Sequence, residues 1–184
     1  MSSQSAIGQL VDRQQRFDSV FESHYESVSR YCMRRLGRPD GEDAAAEVFA
    51  VAWRRLDEVP TGDATRAWLL GVAYRVVGNH YRGRRRRARL TARLLAEGQV
   101  QIASDPGGEI RLVRLALDSL REDDRELLRM ASWDGLDRRE IAAVMGIKEN
   151  AVDQRLFRAR QRLKDRLDRM SKENPRMDPT GASA

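Results

Sequence analysis

Apolar residues recur three and four positions apart through most of this chain, and nowhere do they alternate with polar ones over the length of a strand. A period near 3.6 marks one face of a helix, whereas a period of 2 marks one face of a sheet. The chain is therefore confined to an all-α fold. Phe17, Val20, Phe21, Val28, Tyr31, Cys32 and Leu36 make a first stripe, which Gly37 and Pro39 end. Asp40 then stands as an N-cap, with Asp43 in the first turn of a second helix that turns Val48, Phe49, Ala52, Trp53 and Leu56 to one side. After the break "EVPTGD" a third helix starts near Thr65 and buries Trp68, Leu69, Val72, Ala73, Val76 and Val77. Three such stripes can close on one another, giving a first helical domain over residues 14–88.

The pattern then lapses. "EGQVQIASDPGGE" mixes Gly, Ser, Asp and Pro without a sustained stripe, so residues 89–107 read as a flexible linker. The stripe returns with Ile110, Val113, Ala116, Leu117 and Leu120 and continues through Leu127, Leu128, Ala131 and Trp133 up to Gly135. This second domain spans 108–169, and the polar, Pro-containing tail 170–184 reads as disordered. The expected architecture is two small helical domains joined by a flexible linker.

"DRREIAAVMGIKENAVDQRLFRARQRL" is the most specific stretch. Asp137 followed by Glu140 makes a capping-box start, Ile141, Ala142 and Val144 or Met145 face inward, and Gly146 permits a sharp turn. A new helix then begins near Asn150, with Val152, Leu156, Ala159 and Leu163 packed down and Asp153, Gln154, Phe157, Arg158 and Gln161 looking outward. Two short helices joined by a tight turn form a helix-turn-helix, whose second helix fits a major groove. Arg158 suits guanine, Gln154 suits adenine, and Phe157 suits a thymine methyl, while Arg155, Arg160 and Arg162 are placed for phosphates. Asp153 is repelled from a phosphate-lined groove unless it accepts from cytosine N4 or pairs with a neighbouring arginine.

Charge points the same way. Of 184 residues 34% are charged, the net charge is +6, and the 34 basic residues include only three lysines, Lys148, Lys164 and Lys172. Such a balance favours an anionic partner, nucleic acid first. A GC-rich genome explains the arginine excess but not its clustering in "NHYRGRRRRARL", residues 79–90, where rings stand beside cations. Cations hold phosphates and flat groups hold unstacked bases, which is the pairing that single-stranded nucleic acid requires.

Other classes are disfavoured. Cys32 is the single cysteine and lies on an apolar stripe, so it belongs to the core, and with only His24 and His80 beside it no zinc-ligand spacing exists. Neither a catalytic constellation nor a phosphate-cradling glycine loop occurs, so no cofactor, metal or enzymatic activity is expected. Glu122, Asp123, Asp124 and Glu126 crowd a helix start, where they favour the dipole. No leading segment resembles a signal peptide, and "AWLLGVAY" falls short of the roughly 20 residues of a membrane span. A cytoplasmic protein without membrane insertion is expected.

Taken together, these stretches resemble bacterial RNA polymerase sigma factors of the extracytoplasmic-function group in the sigma-70 family. The likeness covers about Phe17 to Leu167, less the linker. "DGEDAAAEVFAVAWRRLDEV" and "RAWLLGVAYRVVGNHYRGRRRR" are similar to that family's region 2, and "LREDDRELLRMASWDGLDRREIAAVMGIKENAVDQRLFRARQRLKDRL" to its region 4. The resemblance implies a subunit that binds core RNA polymerase and directs promoter-specific initiation. By this likeness, the helix carrying Asp43, Glu47, Val48, Phe49 and Trp53 docks on the clamp coiled coil of the largest polymerase subunit, and the flap is a second polymerase contact. The third helix would meet the minus-ten element through Tyr74, Arg75, Asn79, His80, Tyr81, Arg82, Arg84, Arg85, Arg86 and Arg87. The last helix would meet the minus-thirty-five element through Asn150, Asp153, Gln154, Arg155, Phe157, Arg158, Arg160 and Arg162. Promoter DNA and a separate anti-sigma factor are the further partners implied. The chain departs from the family pattern at Arg75, where Asn is common, at Lys148 in a capping place, at Asp153 where a cation is frequent, and in "DEVPTGDAT", which has no aromatic residue. A rival reading is a two-domain helix-turn-helix regulator that binds duplex DNA as a dimer.

Overall fold

The computed structural model describes residues 2–94 and 108–173. Seven α-helices follow in order, with no strand among the described residues: α1 (Ser2–Leu36), α2 (Arg38–Arg54), α3 (Ala64–Leu94), α4 (Gly108–Asp118), α5 (Glu122–Ser132), α6 (Arg138–Met145) and α7 (Glu149–Glu173). They divide into two compact units, one carrying α1–α3 and the other α4–α7 apart from the stretch Ala143–Gly146. Part of the expected linker, residues 89–94, is the end of α3, and residues 170–173 of the expected tail continue α7. The rest of both segments lies outside the described residues.

In the first unit α1, α2 and α3 pack pairwise. Val28, Tyr31, Cys32 and Leu36 from α1, Ala44, Ala45, Val48, Phe49 and Ala52 from α2, and Leu69, Ala73, Val76 and Val77 from α3 are buried. Apolar burial at about 25 cal/mol per Å² is what holds three such stripes together. The approach of α1 and α2 is close enough that a Cβ at Gly41 would lie 2.6 Å from the backbone of Met33. The N-terminal part of α1 also belongs to this unit. Arg13 Nη2 donates to the Trp53 carbonyl and Arg16 Nη2 to that of Val59, each at 2.7 Å, covering the end of α2 and the 3-10 turn Leu56–Glu58.

Three local expectations are corrected here. Pro39 does not end α1 but sits in the first turn of α2, where its missing N–H costs nothing. Asp40 is accordingly inside that first turn, and Gly37 holds the N-cap place. Trp68 is half-buried rather than core, with the Arg55 guanidinium 5.9 Å from its ring.

The second unit is organised by α7, against which α4 and α5 pack. Leu117, Leu128 and Ala159 form its centre, flanked by Leu120, Leu156 and Leu163. Glu122, Asp123 and Asp124 stand in the first turn of α5, where they favour the positive end of the dipole. Trp133 is 50% exposed and Val113 41%, so neither joins the stripe expected of it. Trp133 lies one residue past α5 and rests 5.7 Å from the Arg129 guanidinium, while Leu136 is buried, its N–H bonded to the Met130 carbonyl.

Candidate nucleic-acid and protein interfaces

The end of α3 distributes its side chains by helical angle. Arg75, Asn79, Arg82 and Arg86 are all exposed and stand at i, i+4, i+7 and i+11, so they make one outward row. Within that row Arg82 donates to the Asn79 side-chain oxygen. Arg85 and Arg87 are exposed on its flanks, and Tyr74 is half-buried. Other members of the expected DNA set turn toward the protein. Tyr81 donates its hydroxyl hydrogen to the Arg35 carbonyl at 2.6 Å. His80 Nε2 is 3.5 Å from a Glu47 carboxylate oxygen, and Arg84 Nη1 is 3.9 Å from that of Asp40.

On α2 the expected protein-binding residues separate into two faces. Asp43 and Glu47, four apart, are exposed beside Asp40. Val48 and Phe49 are buried at 0% and 3% exposure, where they pack the helix into the core of the unit. Trp53 is half-buried and packs edge-on against Phe17 at 5.2 Å. Phe21 meets Phe49 at 4.7 Å and Tyr25 at 5.0 Å, and both Phe21 and Tyr25 remain exposed. Tyr25 is missing from the stripe named above, although it stands four residues after Phe21 and three before Val28, the spacing that marks that same face.

In the second unit the capping box is reciprocal. The Asp137 N–H donates to Glu140 Oε2 at 3.0 Å and the Glu140 N–H to Asp137 Oδ1 at 2.7 Å, satisfying donors that the start of α6 would leave open. Gly146 takes φ 66°, a left-handed conformation costly for any side chain, and the Ile147 N–H closes the turn onto the Ala142 carbonyl at 3.0 Å. α7 then starts at Glu149. Val152 and Ala159 are fully buried on it, and Leu156 and Leu163 are half-buried. Asn150, Asp153, Gln154, Arg155, Phe157, Arg158, Arg160, Gln161 and Arg162 are exposed, Phe157 at 64%. One helix thus presents amide, ring and guanidinium groups together, the donors and apolar surface that base edges accept.

Two of these residues have protein partners. Arg162 donates to Asp124 at the start of α5. Asp153 accepts from Arg138 Nη1 at 3.0 Å, and Arg138 Nε lies 3.5 Å from a Glu149 oxygen. The hydrogen bond from Arg138 to Asp153, reinforced by both carboxylates, raises the Arg138 pKa further above its ordinary value. Sequence alone offered a neighbouring arginine as one resolution of the Asp153 problem without identifying it. Elsewhere, burial pushes the Cys32 thiol up to about 12, against a smaller opposing effect of Arg35, in keeping with a core role. Among the described residues no group of three or more His, Cys, Asp or Glu side chains could hold a metal ion, and no helix is long and apolar enough to cross a membrane.

Comparison with known proteins matches residues 20–87 to Sigma-70 region 2 and residues 110–163 to Sigma-70, region 4. The chain is 31% identical over 182 residues to RNA polymerase sigma factor CnrH of Cupriavidus metallidurans, covering 90% of this chain and 88% of that protein. It is 29% identical over 185 residues to the ECF RNA polymerase sigma-E factor of Escherichia coli, covering 91% and 97%. Among solved structures, CnrH in complex with the cytosolic domain of CnrY superposes with a TM-score of 0.58 at 27% identity, over 84% of this chain and 89% of that one.

Proposed function

The chain belongs to the extracytoplasmic-function group of RNA polymerase sigma factors, which direct transcription initiation, and on that premise we propose how its parts divide the work at a promoter. Residues 14–88 act as the region 2 module and 108–169 as the region 4 module. α2 docks on the clamp coiled coil of the largest polymerase subunit, with Asp43 and Glu47 as its charged contacts and Val48, Phe49 and Trp53 setting its pose. The second module also rests on the polymerase flap.

α3 holds the minus-ten element. The exposed row Arg75, Asn79, Arg82 and Arg86, flanked by Arg85, Arg87 and Tyr74, follows the opened strand, and counterion release drives that binding. Arg84 and His80, placed beside the acids of α2, couple the polymerase-binding helix to the DNA-binding one. α7 enters the minus-thirty-five major groove, where Asn150, Gln154, Phe157 and Arg158 face base edges and Arg155, Arg160 and Arg162 face phosphates. A separate anti-sigma protein restrains the factor.

The observation that carries this reading is the outward row of α7 behind a complete cap and turn: a helix held by Val152 and Ala159 on one side leaves Asn150, Gln154, Phe157 and Arg158 exposed for a groove on the other. Footprinting tests it. Holoenzyme reconstituted from core polymerase and this chain should protect an upstream duplex element and give single-strand reactivity at the minus-ten. Single-strand reactivity from the chain alone, or none with polymerase present, contradicts the reading. The dimeric-regulator alternative is disfavoured by the family assignment.

A further inference from the structure

Asp153 poses an electrostatic problem that the fold resolves. It lies in the second turn of α7 on the outward side, four residues after Glu149, so two carboxylates share one face. Like charges at this spacing repel each other, and both would repel a phosphate backbone. Arg138, the first residue of α6, reaches across the turn and serves both through different nitrogens: Nη1 to Asp153 Oδ2 at 3.0 Å and Nε toward Glu149 Oε2 at 3.5 Å. The planar fork of a guanidinium fixes direction as well as charge, which an ammonium does not. Arg138 engages Oδ2, and the Asp153 side chain remains 58% exposed, so acceptor capacity is left for a further donor.

We propose that Arg138 positions Asp153 to accept from the exocyclic amino group of a cytosine at one base pair of the upstream promoter element. The proposal rests on the reading of α7 as the groove-entering helix. Cytosine offers N4–H donors in the major groove with no acceptor of its own beside them. Guanine O6 and thymine O4 would face the carboxylate with like partial charge, and adenine would bring N7 next to its amino group. Asp153 therefore acts chiefly by rejection, and Arg138 is a positioning residue that offsets the carboxylate charge and sets its orientation.

The test uses holoenzyme on a promoter library randomised across the upstream element, with bound DNA sequenced. Wild type should favour cytosine at one position, on one strand, by about tenfold or more. Asp153→Ala should lose that preference and keep the others. Arg138→Lys should keep overall affinity and lose preference at that position alone, an effect that a merely structural role would not produce. Arg138→Ala should weaken binding to every member of the library severalfold, and Arg138→Ala/Asp153→Ala should recover affinity without recovering the preference. An unchanged preference profile in Asp153→Ala, or equal weakening by Arg138→Ala and the double variant, overturns the proposal. If wild type selects no upstream element at all, the groove-entering reading of α7 falls and takes the proposal with it, whereas loss confined to the single cytosine position leaves that reading standing.

Discussion

The Tyr81 hydroxyl donates to the Arg35 backbone carbonyl across 2.6 Å, tying α3 to the last turn of α1. Arg35 is itself buried, with its guanidinium 3.4 Å from the centre of the Tyr31 ring and its Nη1 bonded to the Tyr31 carbonyl at 3.0 Å. The aromatic residue nearest the arginine run thus works first as a strut. Tyr81→Phe should cost about 1 kcal/mol of stability, the net worth of one such hydrogen bond. Urea unfolding followed by circular dichroism measures it. Unchanged stability together with impaired promoter opening would assign the hydroxyl to DNA instead.

Asp137→Ala should destabilise the chain by about 0.5 to 2 kcal/mol, because it removes the acceptor that caps the Glu140 N–H. Glu140→Ala removes the reciprocal bond to the Asp137 N–H, and the two losses should not add, since each variant dissolves the same box. Additive losses in unfolding experiments would mean that the two bonds act independently.

Cys32 should resist alkylation in the native chain at pH 8, because burial disfavours its thiolate, and should react at once in denaturant. Its folded-state pKa of about 12 lies above the ordinary 9.0, so the folded form keeps its proton longer. The stability this contributes is fully present below pH 9 and is lost as pH rises from there toward 12. Mass spectrometry after timed iodoacetamide treatment checks the first statement, and unfolding across that pH range the second.

Charge removal should separate the two helices proposed to bind DNA. Neutralising Arg75, Arg82 and Arg86 together should weaken promoter opening on all sequences and flatten its salt dependence, by about 0.7 in the log-log slope for each single-strand phosphate no longer neutralised. Arg158→Ala should instead cost about 1 to 3 kcal/mol on promoters with the preferred upstream base and little on others. Equal effects of both changes on every promoter would contradict the division.

Much of this was legible in the sequence, because long apolar stripes and a capping box are local signals. Residues 28–36, 44–52 and 69–77 pack largely as their spacing implies, and Asp137 and Glu140 form the bonds their separation predicts. Trp68 and Val113 are misplaced inside helices that leave them partly open, and the other misplacements sit where a helix end is decided by one residue. Gly37 alone separates α1 from α2, which moves Pro39 and Asp40 inside the second helix, and Trp133 falls one position past α5. The site was less legible, since pairs such as Glu47 with His80 and Arg138 with Asp153 join different helices. Spacing along a chain gives the face of each helix, but not which face meets it.

The central claim is most directly tested by supplying purified core polymerase with this chain and mapping the 5′ ends of the transcripts it initiates. The account predicts a restricted set of start sites sharing two upstream elements, and loss of all of them when Asp43 and Glu47 are both neutralised. Transcripts no different from those of core enzyme alone, together with no binding between chain and core, would contradict it.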